Sequence, residues 1–132
     1  MSPNPTPLAG GCFCGNIRYV ISGTPRKATL CHCVDCRRAA GAPAVAWFSV
    51  ERFGFSLTQG TPKRFRSSDH ATRGFCADCG TPLIFEEDRS DELDITTATL
   101  DDPNRVPPID HAWATSRVAW DYLSPDIPVR PG

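Results

Sequence analysis

The sequence lacks any apolar run long enough to cross a bilayer as a helix, so no membrane-spanning segment is expected. Its first residues, Met1-Ser2-Pro3-Asn4-Pro5-Thr6-Pro7-Leu8, contain neither the basic nor the apolar region of a secretory signal, and a cytoplasmic location is expected. An excess of positive charge is also missing. The formal net charge is −1, and seven thiolates binding two divalent ions would carry it further negative, which disfavours a nucleic-acid partner. No internal repeat, low-complexity block or linker interrupts the chain. Its 132 residues point to one domain, large enough for a core but small enough for a bound metal to help hold it.

What is present is cysteine, seven of them in three tight clusters: Cys12 and Cys14; Cys31, Cys33 and Cys36; Cys76 and Cys79. Thiolates two or three positions apart can converge on one ion without strain, and in a reducing compartment they favour metal over disulfide. The odd total and the missing signal also count against a secreted disulfide scaffold. A closed tetrahedral zinc site takes four thiolates and leaves three, the protein ligand count of an open site with one exchangeable position.

Phe75-Cys76-Ala77-Asp78-Cys79-Gly80 has the pattern of a zinc knuckle, with a tight turn that turns both sulfurs to one side and a glycine that tolerates positive φ. Gly10-Gly11-Cys12-Phe13-Cys14-Gly15 can be its partner if the flanking glycines bend the chain tightly. Cys31-His32-Cys33-Val34-Asp35-Cys36 places three thiolates at the mouth of a short helix, where Cys36 gains from the helix dipole. His32 is squeezed between two of these sulfurs and is expected to point away from the metal. Spacing alone leaves a second pairing open, in which Cys31 and Cys33 join Cys76 and Cys79.

The remaining pattern predicts a mainly β domain over residues 10–123, with Pro-rich tails at 1–9 and 124–132. Alternating residues predict strands over 16–22, 44–50, around 53–57, 63–66, 72–75, 81–86 and 93–98. One helix of about two turns is expected from Val34 to Ala40, ending at Gly41. Phe13, Leu30, Trp47, Phe48, Phe65, Phe75, Leu83, Phe85, Ile95, Trp113 and Trp120 are the expected core and cleft wall.

Taken together, Gly11-Cys12-Phe13-Cys14-Gly15, the segment from Cys31 to Gly41, and Phe75-Cys76-Ala77-Asp78-Cys79-Gly80-Thr81-Pro82-Leu83 resemble the glutathione-dependent formaldehyde-activating enzyme family, which includes centromere protein V. Leu100-Asp101-Asp102-Pro103 and His111-Ala112-Trp113-Ala114-Thr115-Ser116 extend the likeness. The resemblance implies an Mss4-like fold of small stacked antiparallel sheets. It also implies a structural zinc on Cys12, Cys14, Cys76 and Cys79, a second, open zinc on Cys31, Cys33 and Cys36, and a carbon–sulfur lyase that joins glutathione and formaldehyde.

The chemistry of the residues agrees with that expectation. Zinc held by three thiolates can take an incoming thiol in its deprotonated form, and a thiolate beside an aldehyde is placed for addition. Cys31, Cys33 and Cys36 are therefore the expected catalytic metal site. Arg37 and Arg38 are candidates to receive the carboxylates of glutathione or another anion. His70, on a polar loop, is a candidate proton shuttle, and His111, two before Trp113, is expected to face the cleft with that indole. The small-molecule partners would be a thiol and an aldehyde. The competing readings are a scaffold module that uses zinc only to fold, and a redox or metal-buffering protein.

Overall fold

The structure, a computed structural model, describes residues 7–121 together with 128, 130 and 131. The expected tails fall mostly outside the described residues, except that Leu8 and Ala9 belong to the first strand.

Ten strands are described: β1 (Leu8–Gly11), β2 (Arg18–Ile21), β3 (Arg26–Cys31), β4 (Val45–Glu51), β5 (Phe55–Gln59), β6 (Lys63–Arg66), β7 (Ala71–Phe75), β8 (Pro82–Glu87), β9 (Glu92–Thr96) and β10 (Asp110–Ala112). Strands β1, β2 and β5 form a small sheet in the order β1-β2-β5, and the rest form a larger one in the order β10-β3-β4-β9-β8-β7-β6. All pairings are antiparallel but one: β10 runs parallel to β3, with Ala112 opposite Cys31. The mainly β, Mss4-like arrangement is thus observed, with a parallel strand added at the edge.

The sole α-helix among the described residues, α1, spans Val34–Ala40 and ends at Gly41, whose N–H returns to the Arg37 carbonyl. Its start is set by a cysteine. Cys33 is the N-cap, and its Sγ accepts from the Cys36 N–H at 3.2 Å, taking the role that a serine or aspartate oxygen usually fills.

Side-chain alternation gives the large sheet two different faces. Phe48 and Val50 of β4 and Leu93 and Ile95 of β9 point toward Tyr19 and Ile21 of the small sheet and form the main core with them. Trp47 and Ser49, the intervening residues of β4, face the other way. There Trp47 packs with Cys31, Cys36 and Phe85 in a second cluster. The main core holds the sheets together, and the opposite face of the large sheet carries the candidate chemistry.

Two strands depart from the alternation that sequence can show. β3 is not evident because Lys27 has φ 55° and the pairing with β4 shifts register between Arg26 and Thr29, which breaks the period of two. β10 has three residues and exists through its pairing with β3. Four of the expected core aromatics are exposed. Phe13 is 93% and Trp120 67% exposed, and Phe65 and Trp113 line clefts rather than the core. Phe13 projects outward because it lies between two cysteines whose sulfurs both point in.

Candidate functional site

The first two-cysteine segment and the knuckle at Cys76 and Cys79 are built alike. Cys12 N–H donates to the carbonyl of Ile17, and Cys76 N–H donates to that of Thr81, each five residues ahead. Gly15 and Gly80 close the two turns, both at φ 83°, a conformation that costs a side-chain-bearing residue far more than glycine. The two turns are joined across 62 residues by a hydrogen bond from Asn16 Nδ2 to Asp78 Oδ2 at 3.0 Å, and Phe13 N–H donates to Thr81 Oγ1.

The four sulfurs of Cys12, Cys14, Cys76 and Cys79 all lie within 4.8 Å of one another. Cys12 and Cys14 Sγ are 3.6 Å apart, and Cys14 and Cys76 Sγ 3.8 Å. A tetrahedral zinc with Zn–S bonds of about 2.3 Å sets sulfurs roughly 3.8 Å apart, so the donor set and its spacing fit that ion. The Ile17 N–H points at Cys12 Sγ from 3.3 Å, a donor that suits a thiolate.

Cys31, Cys33 and Cys36 form a separate group, again with all sulfurs within 4.8 Å. This excludes the alternative in which Cys31 and Cys33 join the knuckle. Cys31 ends β3, Cys33 caps α1, and Cys36 is buried in the first turn of the helix. The bond from Cys31, then those from Cys33 and Arg73, draw the Cys36 thiol down to about 5 against the opposing effect of burial. The same bond to Cys36, with burial, pushes Cys31 up. A group in which the Cys36 thiol readily ionises while that of Cys31 resists suits a cation that would ionise both.

The trio opens onto a cleft of about 560 Å³. Trp47, Phe85 and Trp113 supply apolar wall, and Arg73 and His70 bring positive or proton-carrying groups to it. Asp94 lies in the same cleft, its carboxyl pushed above the usual range by burial despite a 2.6 Å bond from the Ser49 hydroxyl. A second cleft of about 550 Å³ shares Asp35, Trp47, Ser67 and Arg73 with the first and includes Arg38 and Phe65.

Of the residues expected from sequence, Arg38, two residues beyond Cys36 in α1, lies on the second cleft, whereas Arg37 lines neither cleft. His70 is exposed and lines the first. His111 does not line it: Trp113 has φ 55°, so the strand ends before the indole and the two side chains no longer share a face. Instead His111 Nδ1 lies 2.9 Å from His32 Nε2, and His32 Nδ1 lies 3.2 Å from Asp121 Oδ2. His32 is fully buried and turned away from the sulfurs on either side of it, as its crowded position suggests. Arg73 and Asp94 were not evident from sequence. Each sits in a strand without motif character, and only cross-strand register brings them to the cysteines.

The comparisons with known proteins agree with this geometry. A model of the glutathione-dependent formaldehyde-activating enzyme family matches residues 7–116. A Schizosaccharomyces pombe protein described as an uncharacterized lyase is 33% identical over 76 residues, which are 58% of this chain and 55% of that protein. The chain thus matches about half the length of that relative. A crystal structure of a Rhodobacter sphaeroides protein superposes with a TM-score of 0.64 at 18% identity, covering 79% of this chain and 99% of the other, a likeness of fold. With the match extending from β1 through both cysteine groups to the wall of the cleft, the chain belongs to the glutathione-dependent formaldehyde-activating enzyme family.

Proposed function

We propose that the protein is a zinc-dependent enzyme of the carbon–sulfur lyase type, which takes a thiol, glutathione or a close relative, and joins it to a small aldehyde such as formaldehyde. The observation that carries this reading is the division of seven cysteines into a closed group of four and a group of three beside a cleft. Zinc at the trio would supply a position at which an incoming thiol is held deprotonated near neutral pH.

The protein's own groups supply the rest. Cys31, Cys33 and Cys36 would hold the ion, with Cys33 also fixing the start of α1 so that the sulfurs keep their places. Trp47 and Phe85 form an apolar wall beside the trio, at a ring separation of 6.1 Å. His70, which lines the same cleft, is our candidate to carry the proton that the thiol gives up. Arg38 offers a guanidinium fork to a carboxylate of the thiol in the adjoining cleft.

Among the described residues no helix is long and apolar enough to cross a membrane. A reducing, cytoplasmic setting fits seven cysteines that form no disulfide among themselves. Native mass spectrometry with and without glutathione tests the proposal. Two zinc ions per chain and a thiol adduct at millimolar glutathione are expected, with both the adduct and one zinc lost in Cys36→Ser. Zinc-loaded protein that binds no glutathione at that concentration would remove the glutathione reading.

A further inference from the structure

Arg73 differs from the other paired arginines of this protein. Arg18, Arg26, Arg52, Arg64 and Arg66 each meet a carboxylate. None of the ion pairs among the described residues includes Arg73. Its Nη2 instead lies 3.7 Å from Cys36 Sγ, and its guanidinium stands over the Phe85 ring, 5.0 Å from the centroid. Phe85 is braced in turn by the edge-on contact with Trp47, at 62° between ring planes.

The sheet register explains why the side chain is held there. Ser49 pairs with Asp94, Asp94 with Phe85, and Phe85 with Arg73, so one row runs across β4, β9, β8 and β7, and its Asp94, Phe85 and Arg73 line the cleft. Arg73 is the only arginine or lysine among the described residues lining the first cleft, and it also lines the second. A guanidinium without a carboxylate partner, fixed by aromatic rings at the edge of a thiolate group, has donors left for a substrate.

Resting on the thiol and aldehyde reading above, we propose that Arg73 is a catalytic residue that stabilises the oxyanion formed when the thiolate adds to the carbonyl. In that step a bond forms between sulfur and the carbonyl carbon, and the π pair of the carbonyl moves to oxygen. The alkoxide then takes up the proton released by the thiol. Arg73 acts only as a hydrogen-bond donor throughout and transfers no proton. Its N–H groups meet charge that develops only as the new bond forms, which is how a fixed donor lowers a barrier.

The test uses zinc-loaded protein carrying Arg73→Gln or Arg73→Lys, with zinc counted by native mass spectrometry. The glutamine variant should keep both ions and lose about 100-fold in kcat, with KM for the thiol changed by less than about threefold. Lysine should restore part of the loss, because it keeps charge without the fork. A binding measurement reads the same group without turnover. Thioglycolate, whose carboxylate sits next to the carbon on sulfur, should bind the wild type about tenfold more tightly than its neutral methyl ester, and the glutamine variant should lose that preference.

A glutamine variant within about threefold of wild-type kcat would overturn the assignment, as would a carboxylate preference that survives the substitution. Loss of kcat in step with loss of zinc would also overturn it, because Arg73 would then only be supporting the metal site. If the wild type binds both thiols equally, Arg73 alone loses its role. If it binds neither, the trio is not a thiol site and the functional proposal falls with this one.

Discussion

Cys14 Sγ lies 3.8 Å from Cys76 Sγ, although 62 residues separate them. This contact brings together the turn after β1 and the turn between β7 and β8, and thereby ties the small sheet to the large one. A metal at this point therefore acts on the fold as a whole.

Cys76→Ser should release one of two zinc ions and destabilise the domain by several kcal/mol, because metal binding to such a site is itself folding free energy. Loss of one ion by native mass spectrometry and a collapse of the thermal transition are expected. A variant that keeps its Tm with a single ion bound would show that the closed group is not structural.

Cys36→Ser should remove only the other ion. The core between the sheets contains none of the trio, so far-UV circular dichroism should be unchanged and Tm should drop by only a few degrees. Thiol binding and turnover should vanish. A global unfolding equal to that of Cys76→Ser would contradict the division of labour.

Gly10→Ala should cost about 1–3 kcal/mol, since a methyl group there would run into the Thr99 carbonyl and the Tyr19 hydroxyl. Tyr19 is almost wholly buried and bonded to Thr99 at 2.7 Å, so it has little room to yield. Urea denaturation measures the loss, and wild-type stability in the variant would show that the ring can move aside.

His32→Phe should keep both zinc ions and yet lose about 1–3 kcal/mol, because His111 Nδ1 loses its hydrogen-bond partner on the fully buried His32. Zinc content separates this from a ligand role: a variant short of one ion would make His32 part of the metal site after all.

Asp94 gives a pH signature. Burial raises its carboxyl above the ordinary 3.8, so the folded state holds this proton more tightly than the unfolded chain. The linkage slope is then negative, and the contribution to stability present below 3.8 is lost as pH rises through the raised folded value. Asp94→Asn should remove that loss while Ser49 keeps a partner. The Tm difference between variant and wild type should grow in favour of asparagine from about pH 4 upward. Parallel curves across pH 3–7 would mean that Asp94 is not held in its raised state.

The parts legible in sequence were those with local causes. Cysteine spacing marked three clusters of candidate metal ligands without grouping them, and the glycine after the helical run marked the end of α1, whose span from Val34 to Ala40 is as predicted. β6 over Lys63–Arg66 also follows from its own residues. The limits lay in β3, where a left-handed Lys27 spoils the alternation, and in β10, too short to carry a pattern. Phe13 and Trp120 misled because an aromatic residue is apolar wherever it stands, and only its surroundings decide whether it is covered.

By itself the sequence determined which atoms are available: seven thiols in three clusters, a helix that starts on one of them, and enough alternating strands for a β domain. Those outcomes depend on neighbours within a few residues. Tertiary structure decided which cysteine clusters come together, turned His32 toward His111 and Asp121, and set Arg73 beside Cys36. These follow from the register of strands distant in the chain. Pairing across a sheet is settled by the burial of a whole face, and no local run of residues encodes it.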